Sequence, residues 1–168
     1  MTNKVHYTWE RIDHLVHGIA LELYQKEWVP DYIVGVIRGG AIPGVTLSHI
    51  MNKPFLPLDV RLRNNVASNA MGFQHFFDIA VHFPKETKVL YIDDINDTSE
   101  TLQYIDDSMI SNRSNLVFEY QFAMVLERMN APRSALYVGE ELTEKVTDGD
   151  PDAWIVFPWE NQFNIPED

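Results

Sequence analysis

The chain has no cysteine, which excludes a disulfide framework, a thiolate nucleophile and any cysteine-ligated zinc site. It is also poor in positive charge. Over its 168 residues, 13 Lys and Arg stand against 25 Asp and Glu, a net charge of −12. A surface this acidic argues against nucleic acid or an anionic membrane as the main partner. It leaves room for a locally basic pocket that holds an anionic substrate. Long apolar runs are missing as well. None approaches the roughly 20 residues that span a bilayer, and the opening MTNKVHYTWE lacks the apolar core of a signal peptide. A cytoplasmic protein is expected. Internal repeats, low-complexity tracts and linkers are absent too, so a single domain over 1–168 is expected.

What is present is an ordinary globular composition, 45% hydrophobic and 23% charged. Ile12, Leu15, Val16, Ile19, Ala20 and Leu23 recur at helical spacing, which predicts a helix over 8–26 capped by Thr8 and ended by Pro30-Asp31. The continuous apolar run from Tyr32 to Ile37 predicts a central parallel strand. A turn at Arg38-Gly39-Gly40, a helix from Pro43 to Met51 and a strand from Pro54 to Leu62 follow. Residues 63–82, with Asn64, Asn65, Ser68, Asn69 and Gly72, predict a long mobile loop able to act as a lid. Then come a strand over 89–93, a helix over 98–110, and strands at Phe118–Leu126 and Ala135–Val138. The acidic stretch Glu140–Asp152 predicts a solvated loop, and Ala153–Trp159 is a last apolar segment. Alternating strands and helices predict an α/β fold with a mostly parallel central sheet, whose ligand sits beyond the carboxyl ends of the strands.

Two segments fall at that edge. In the stretch KVLYIDDINDTSETL, a buried strand ends in Asp93 and Asp94, and the turn Asn96–Thr101 leads into a helix. Helix capping alone needs one acid or hydroxyl. Here Asp93, Asp94 and Asp97 are joined by Thr98, Ser99 and Thr101. Two adjacent carboxylates repel each other, and a ligand or cation is the natural compensation. The amides and positive dipole end of the helix suit a phosphate, and the acids suit ribose hydroxyls and a divalent cation. The other segment is Arg38-Gly39-Gly40. Its glycines let main-chain amides approach an anion, and Arg38 can fork onto the anion's oxygens. Alone, it reads equally as a plain strand-to-helix turn. Together the two segments offer one site for a diphosphate and another for ribose and a monophosphate.

This combination resembles the type I phosphoribosyltransferases, with VLYIDDINDTSETL similar to their phosphoribosyl-diphosphate signature and IRGG to their diphosphate loop. The short xanthine–guanine type of bacteria is the nearest likeness. The small size, the third acid in DDINDT and the tail DAWIVFPWE carry it. The resemblance implies a central sheet flanked by helices, with a small hood largely from the C-terminal segment. It implies transfer of a phosphoribosyl group from phosphoribosyl diphosphate to a base, a purine in the first instance, with Mg2+ as cofactor and a homo-oligomer, dimer or tetramer, as the assembly. Carried onto this chain, it assigns Asp93 and Asp94 to the ribose hydroxyls, with Asp94 near the magnesium. Thr98, Ser99, Glu100 and Thr101 would hold the 5′-phosphate, and Arg38 and Gly39 the diphosphate. Asp97 would accept a proton from the base, and Trp154 and Ile155 would line the base pocket.

Two positions depart from the pattern. Ser99 stands where the phosphate turn usually has glycine. Glu127 aligns with the lysine that meets the 6-oxo group in the 6-oxopurine enzymes, with Arg128 next to it. An acid cannot donate to a carbonyl oxygen. Either Arg128 takes over, or the base differs, such as one presenting an amino group. Two other readings stay open: a regulatory protein that senses phosphoribosyl diphosphate or a nucleotide without turnover, and a phospho-acceptor domain. The latter leaves IRGG unexplained. His14 and His17 lie three apart on a helix, but with no third ligand a surface or packing role is expected.

Overall fold

A computed structural model describes residues 3–60, 62–63, 66–67, 70–112 and 118–160. Nine strands and four helices are distinguished among them: β1 (Lys4–His6), α1 (Trp9–Gln25), β2 (Tyr32–Ile37), α2 (Ala41–Met51), β3 (Phe55–Asp59), β4 (Leu62–Arg63), β5 (Val66–Ala67), α3 (Ala70–Ala80), β6 (Lys88–Asn96), α4 (Glu100–Ser111), β7 (Glu119–Arg128), β8 (Tyr137–Leu142) and β9 (Trp154–Val156). Five strands form the central sheet in the order β3-β2-β6-β7-β8, and every pairing in it is parallel.

The side chains of the inner strands alternate between the two faces of this sheet, so each face carries its own core. Ile33, Leu90, Ile92, Ala123 and Val125 belong to one, with Ile12, Val16, Ile19 and Leu23 of α1 and Leu47 and Met51 of α2. Val34, Val36, Val89, Tyr91, Phe122 and Met124 belong to the other, with Phe73, Phe76 and Ala80 of α3 and Leu102, Ile105 and Met109 of α4. With both faces covered, the strands must read as near-continuous apolar runs, which is how YIVGVI and VLYI read.

The first helix begins as the sequence predicts: Thr8 caps it, its hydroxyl accepting from the Arg11 amide at 3.2 Å. His14 and His17 are exposed on this helix, and His17 Nδ1 lies 2.9 Å from the Asp13 carbonyl.

The expected loop over 63–82 is corrected. Ala70–Ala80 is a helix, and Leu62–Arg63 pairs antiparallel with Val66–Ala67. Phe73, Phe76, Phe77 and Ala80 recur at helical spacing, and Phe76 packs on Tyr91, Phe83 and Phe118. The Asn, Ser and Gly content of the preceding stretch hid that periodicity. A lid over 70–80 is thereby excluded, because this helix is part of the core; residues 61, 64–65 and 68–69 lie outside the described residues. The strand expected over 54–62 ends at Asp59, and the acidic stretch from Glu140 begins inside β8. The sequence also gave no sign of β1. It pairs parallel with β9, Val5 opposite Ile155, which joins the chain's beginning to its last apolar segment in a small two-stranded sheet.

Candidate active site

The central strands β2 and β6 lie side by side and end at the same edge, so the turn after Ile37 and the carboxylates of Asp93 and Asp94 meet there. The approach is very close. A Cβ on Gly39 would lie 2.1 Å from Asp94 Oδ2, and one on Gly40 would lie 2.3 Å from the Ile92 carbonyl. Only glycine lets the two loops touch at these points. The Ile37–Arg38 peptide is cis. Arg38, Gly39, Ile42, Asp94, Trp159 and Glu160 line a cavity of about 730 Å³. Of these, sequence reasoning missed Ile42, Trp159 and Glu160. The final WE dipeptide could have been read as part of the site, but nothing in its spacing shows that a short 3-10 turn at Pro158–Glu160 folds it back over the Arg38 loop. That turn is held by Phe157 stacked on Trp159 at 4.7 Å, Trp9 beside Trp159 at 5.8 Å, and the Phe157 amide donating to Glu160 Oε2 at 3.1 Å.

Both helices that leave this edge begin without a side-chain cap. Gly40 precedes α2 and Ser99 precedes α4, and neither residue caps its helix with a side-chain hydrogen bond. With no side-chain cap, either helix start can turn its positive dipole end toward an anion, in contrast with the capped start of α1. Ser99 has φ 61°, the left-handed region that favours glycine. The serine is kept there by its hydroxyl, which donates to the Arg133 carbonyl at 2.9 Å and accepts from the Arg133 amide at 3.1 Å. Thr98, Ser99 and Glu100 line a second cavity of about 430 Å³ with Gln103, Tyr104 and Arg133. Thr101 lies half-buried in the first turn of α4.

The acids carry unusual electrostatics. Burial raises the Asp94 carboxyl to about 6, and the nearby Glu160 charge pushes the same way, while hydrogen bonds from Asp93 and the Ile95 amide oppose it. The Asp93 carboxyl is pushed well above the usual carboxylate range, first by burial and then by the Asp94 charge, against hydrogen bonds from the Asp94 and Gly40 main chain. Such a pair is costly when both members ionise, and a cation or hydroxyl donors would relieve it.

Asp97 lies just beyond β6, and its side chain is 55% exposed. Its Oδ1 accepts from Arg128 Nε at 2.5 Å. Arg128 also donates to the carbonyls of Pro151 at 2.5 Å and Ala153 at 3.0 Å. Glu127 is turned elsewhere. It is buried, and its Oε2 accepts from Asn96 Nδ2 at 2.7 Å and the Ala135 amide at 2.8 Å. The carboxylate ties β6, β7 and the loop before β8 together, and neither cavity includes it. Trp154 is exposed on β9, while Ile155 is buried in the core of the α1 face.

Comparison with known proteins bears on this geometry. The model of the phosphoribosyl transferase domain matches residues 7–136. The chain is 25% identical over 166 residues to the xanthine-guanine phosphoribosyltransferase of Desulfotalea psychrophila, covering 95% of this chain and 89% of that protein. It is 20% identical to xanthine phosphoribosyltransferase 1 of Saccharomyces cerevisiae, covering 94% of this chain and 90% of that one. Among solved structures, the purine phosphoribosyltransferase of Pyrococcus horikoshii superposes with a TM-score of 0.71 at 28% identity over 99% of both chains.

Proposed function

The chain belongs to the phosphoribosyl transferase domain family, and from that premise we propose the chemistry of its site. The protein is a phosphoribosyltransferase. It joins a purine-type base to phosphoribosyl diphosphate and releases diphosphate. The observation that carries this reading is the contact of the Arg38-Gly39 turn with Asp94 at one cavity, with an uncapped helix start on each side. One loop supplies the positive charge of Arg38 and the Gly39 main chain to the diphosphate. The other supplies carboxylates to the ribose hydroxyls, and its helix start receives the 5′-phosphate. Residues 98–101 do this mainly through the main chain, since the Ser99 hydroxyl is already engaged.

The donor set fits magnesium. Asp94 and Glu160 put hard carboxylate oxygens on the cavity that Arg38 also lines, and the raised Asp94 carboxyl marks a charge that a cation would compensate. Magnesium is usually held by one or two carboxylates together with substrate phosphates, so no larger protein cage is needed. Asp94 would hold it, with Asp93 behind. When bound, the ion neutralises charge developing on the leaving diphosphate. Every other role falls to the chain: Arg38 holds and neutralises the diphosphate, and Asp93 and Asp94 orient the ribose. Asp97 takes the proton that the base must lose as its bond to the sugar forms. The hood is the small β1–β9 sheet with the turn at Pro158–Glu160, and it brings Trp154, and Ile155 through its main chain, to the base. The domain would work as a homo-oligomer in the cytoplasm.

The test is a panel of bases incubated with phosphoribosyl diphosphate and magnesium, with diphosphate release followed in wild type and Asp97→Asn. Turnover should appear with one or more purines and fall by about 10²–10⁴-fold in the variant. Binding of phosphoribosyl diphosphate should be retained. An undiminished rate in Asp97→Asn would remove Asp97 from the chemistry.

A further inference from the structure

We infer that Arg128 is a positioning residue for the base. It clamps the carboxylate of Asp97 to the segment that leads into the hood. The inference rests on the reading of Asp97 as proton acceptor and goes beyond it, because it gives Arg128 a role through Asp97 and the hood rather than at the 6-position of the base.

The geometry begins with sheet register. Asn96 of β6 is paired with Glu127 of β7, so the next position on each strand sets Asp97 beside Arg128 at the catalytic edge. Side chains alternate along β7, which sends Glu127 inward and Arg128 the other way. The Arg128 side chain is 12% exposed although that of its partner Asp97 is 55% exposed. Its donors reach acceptors on two separate stretches of chain: Asp97 through Nε, and the carbonyls of Pro151 and Ala153 through the two terminal nitrogens. Ala153 directly precedes β9 and Trp154. One rigid fork therefore fixes the distance between the proton acceptor and the segment beside the base. It occupies Oδ1 of Asp97 and leaves Oδ2 for the proton. Lysine offers a compact charge without the planar fork and cannot reproduce the arrangement.

The experiment uses Arg128→Gln, Arg128→Lys, Asp97→Asn and the double variant Asp97→Asn/Arg128→Gln in the full chain. It measures kcat and the KM values for base and for phosphoribosyl diphosphate separately. Arg128→Gln should lower kcat by about 10–100-fold, the scale of a small misplacement of a reacting group. It should raise KM for the base and leave KM for phosphoribosyl diphosphate unchanged. Arg128→Lys should fall between Gln and wild type, and it serves as the reporter should the Gln variant fail to fold. On kcat the double variant should match Asp97→Asn alone, because a misplaced acceptor that no longer accepts costs nothing more. Multiplicative kcat losses, an equal rise in both KM values, or full activity in Arg128→Lys would overturn the clamp. Full activity in Asp97→Asn would instead overturn the reading of Asp97 on which it rests.

Discussion

Replacing Asp94 by Asn should make the unliganded protein more stable at neutral pH and leave it nearly unchanged at pH 3. The folded state holds the Asp94 proton up to about 6, against 3.8 for the free side chain, mainly because the carboxyl is buried and secondarily because Glu160 is near. A shift of about 2 units corresponds to about 3 kcal/mol. Partial solvent access reduces the usable figure to about 1–2 kcal/mol. The sign follows from proton linkage. Below about pH 3 the carboxyl is neutral in both states and costs nothing. As the pH rises from 4 to 6, the unfolded chain releases the proton while the folded chain keeps it, so stability falls. Above about 6 the folded state carries a buried charge and the deficit is fully developed. Asn retains the oxygen that accepts from the Ile95 amide at 2.8 Å but carries no charge. At pH 7.5 the variant should melt about 2–8 °C higher, taking ~2–4 °C per kcal/mol at this size. Thermal melts from pH 3 to 8 check this. Magnesium with phosphoribosyl diphosphate should raise the wild-type melting point at pH 7.5 and raise that of Asp94→Asn much less. Parallel pH curves for the two proteins, or a variant less stable at pH 7.5, would refute the account of a strained empty carboxylate pair.

Arg38→Ala should weaken binding of diphosphate and of phosphoribosyl diphosphate, yet leave a nucleoside monophosphate nearly untouched; calorimetry on the three ligands decides it, and a uniform loss would make the turn structural. Glu127→Lys should lose roughly 1–3 kcal/mol of stability rather than gain activity on 6-oxopurines, because Asn96 Nδ2 and the Ala135 amide would lose their buried acceptor; chemical denaturation and a guanine assay on the same protein check both halves. Phe76→Ala, 2% exposed within α3, should cost about 3–5 kcal/mol if that helix is core and almost nothing if the segment is a loose lid.

The legible parts of this chain are those where local pattern and tertiary role coincide. The run Tyr32–Ile37 could only be a strand covered on both faces, and Asp93-Asp94 fall toward the ligand edge of another such strand, which runs on to Asn96 rather than ending at position 93. The α3 helix was hidden because its periodicity rests on four residues behind a polar, glycine-bearing start, which reads as a loop. β1 is three residues long and has no reason to be a strand except β9, almost 150 positions away. The exposed Glu160 was invisible for the same reason: its place on the Asp94 cavity comes from a tertiary fold-back at Pro158.

Glu127 and Arg128 show how far motif alignment can carry and where packing takes over. Alignment sets an acid against a lysine of the relatives and invites a direct exchange of base specificity. In the folded chain the two neighbours point in opposite directions. Glu127 is spent on Asn96 and the loop before β8, and Arg128 on Asp97 and the hood. Neither is a free side chain waiting for a base, so changing one does not restore the relatives' contact. Any contact with the 6-position of a purine must then come from the main chain or from groups outside this pair. In the proposed clamp, Arg128 acts on the base through Asp97 and the hood, while the charge at position 127 acts on the fold.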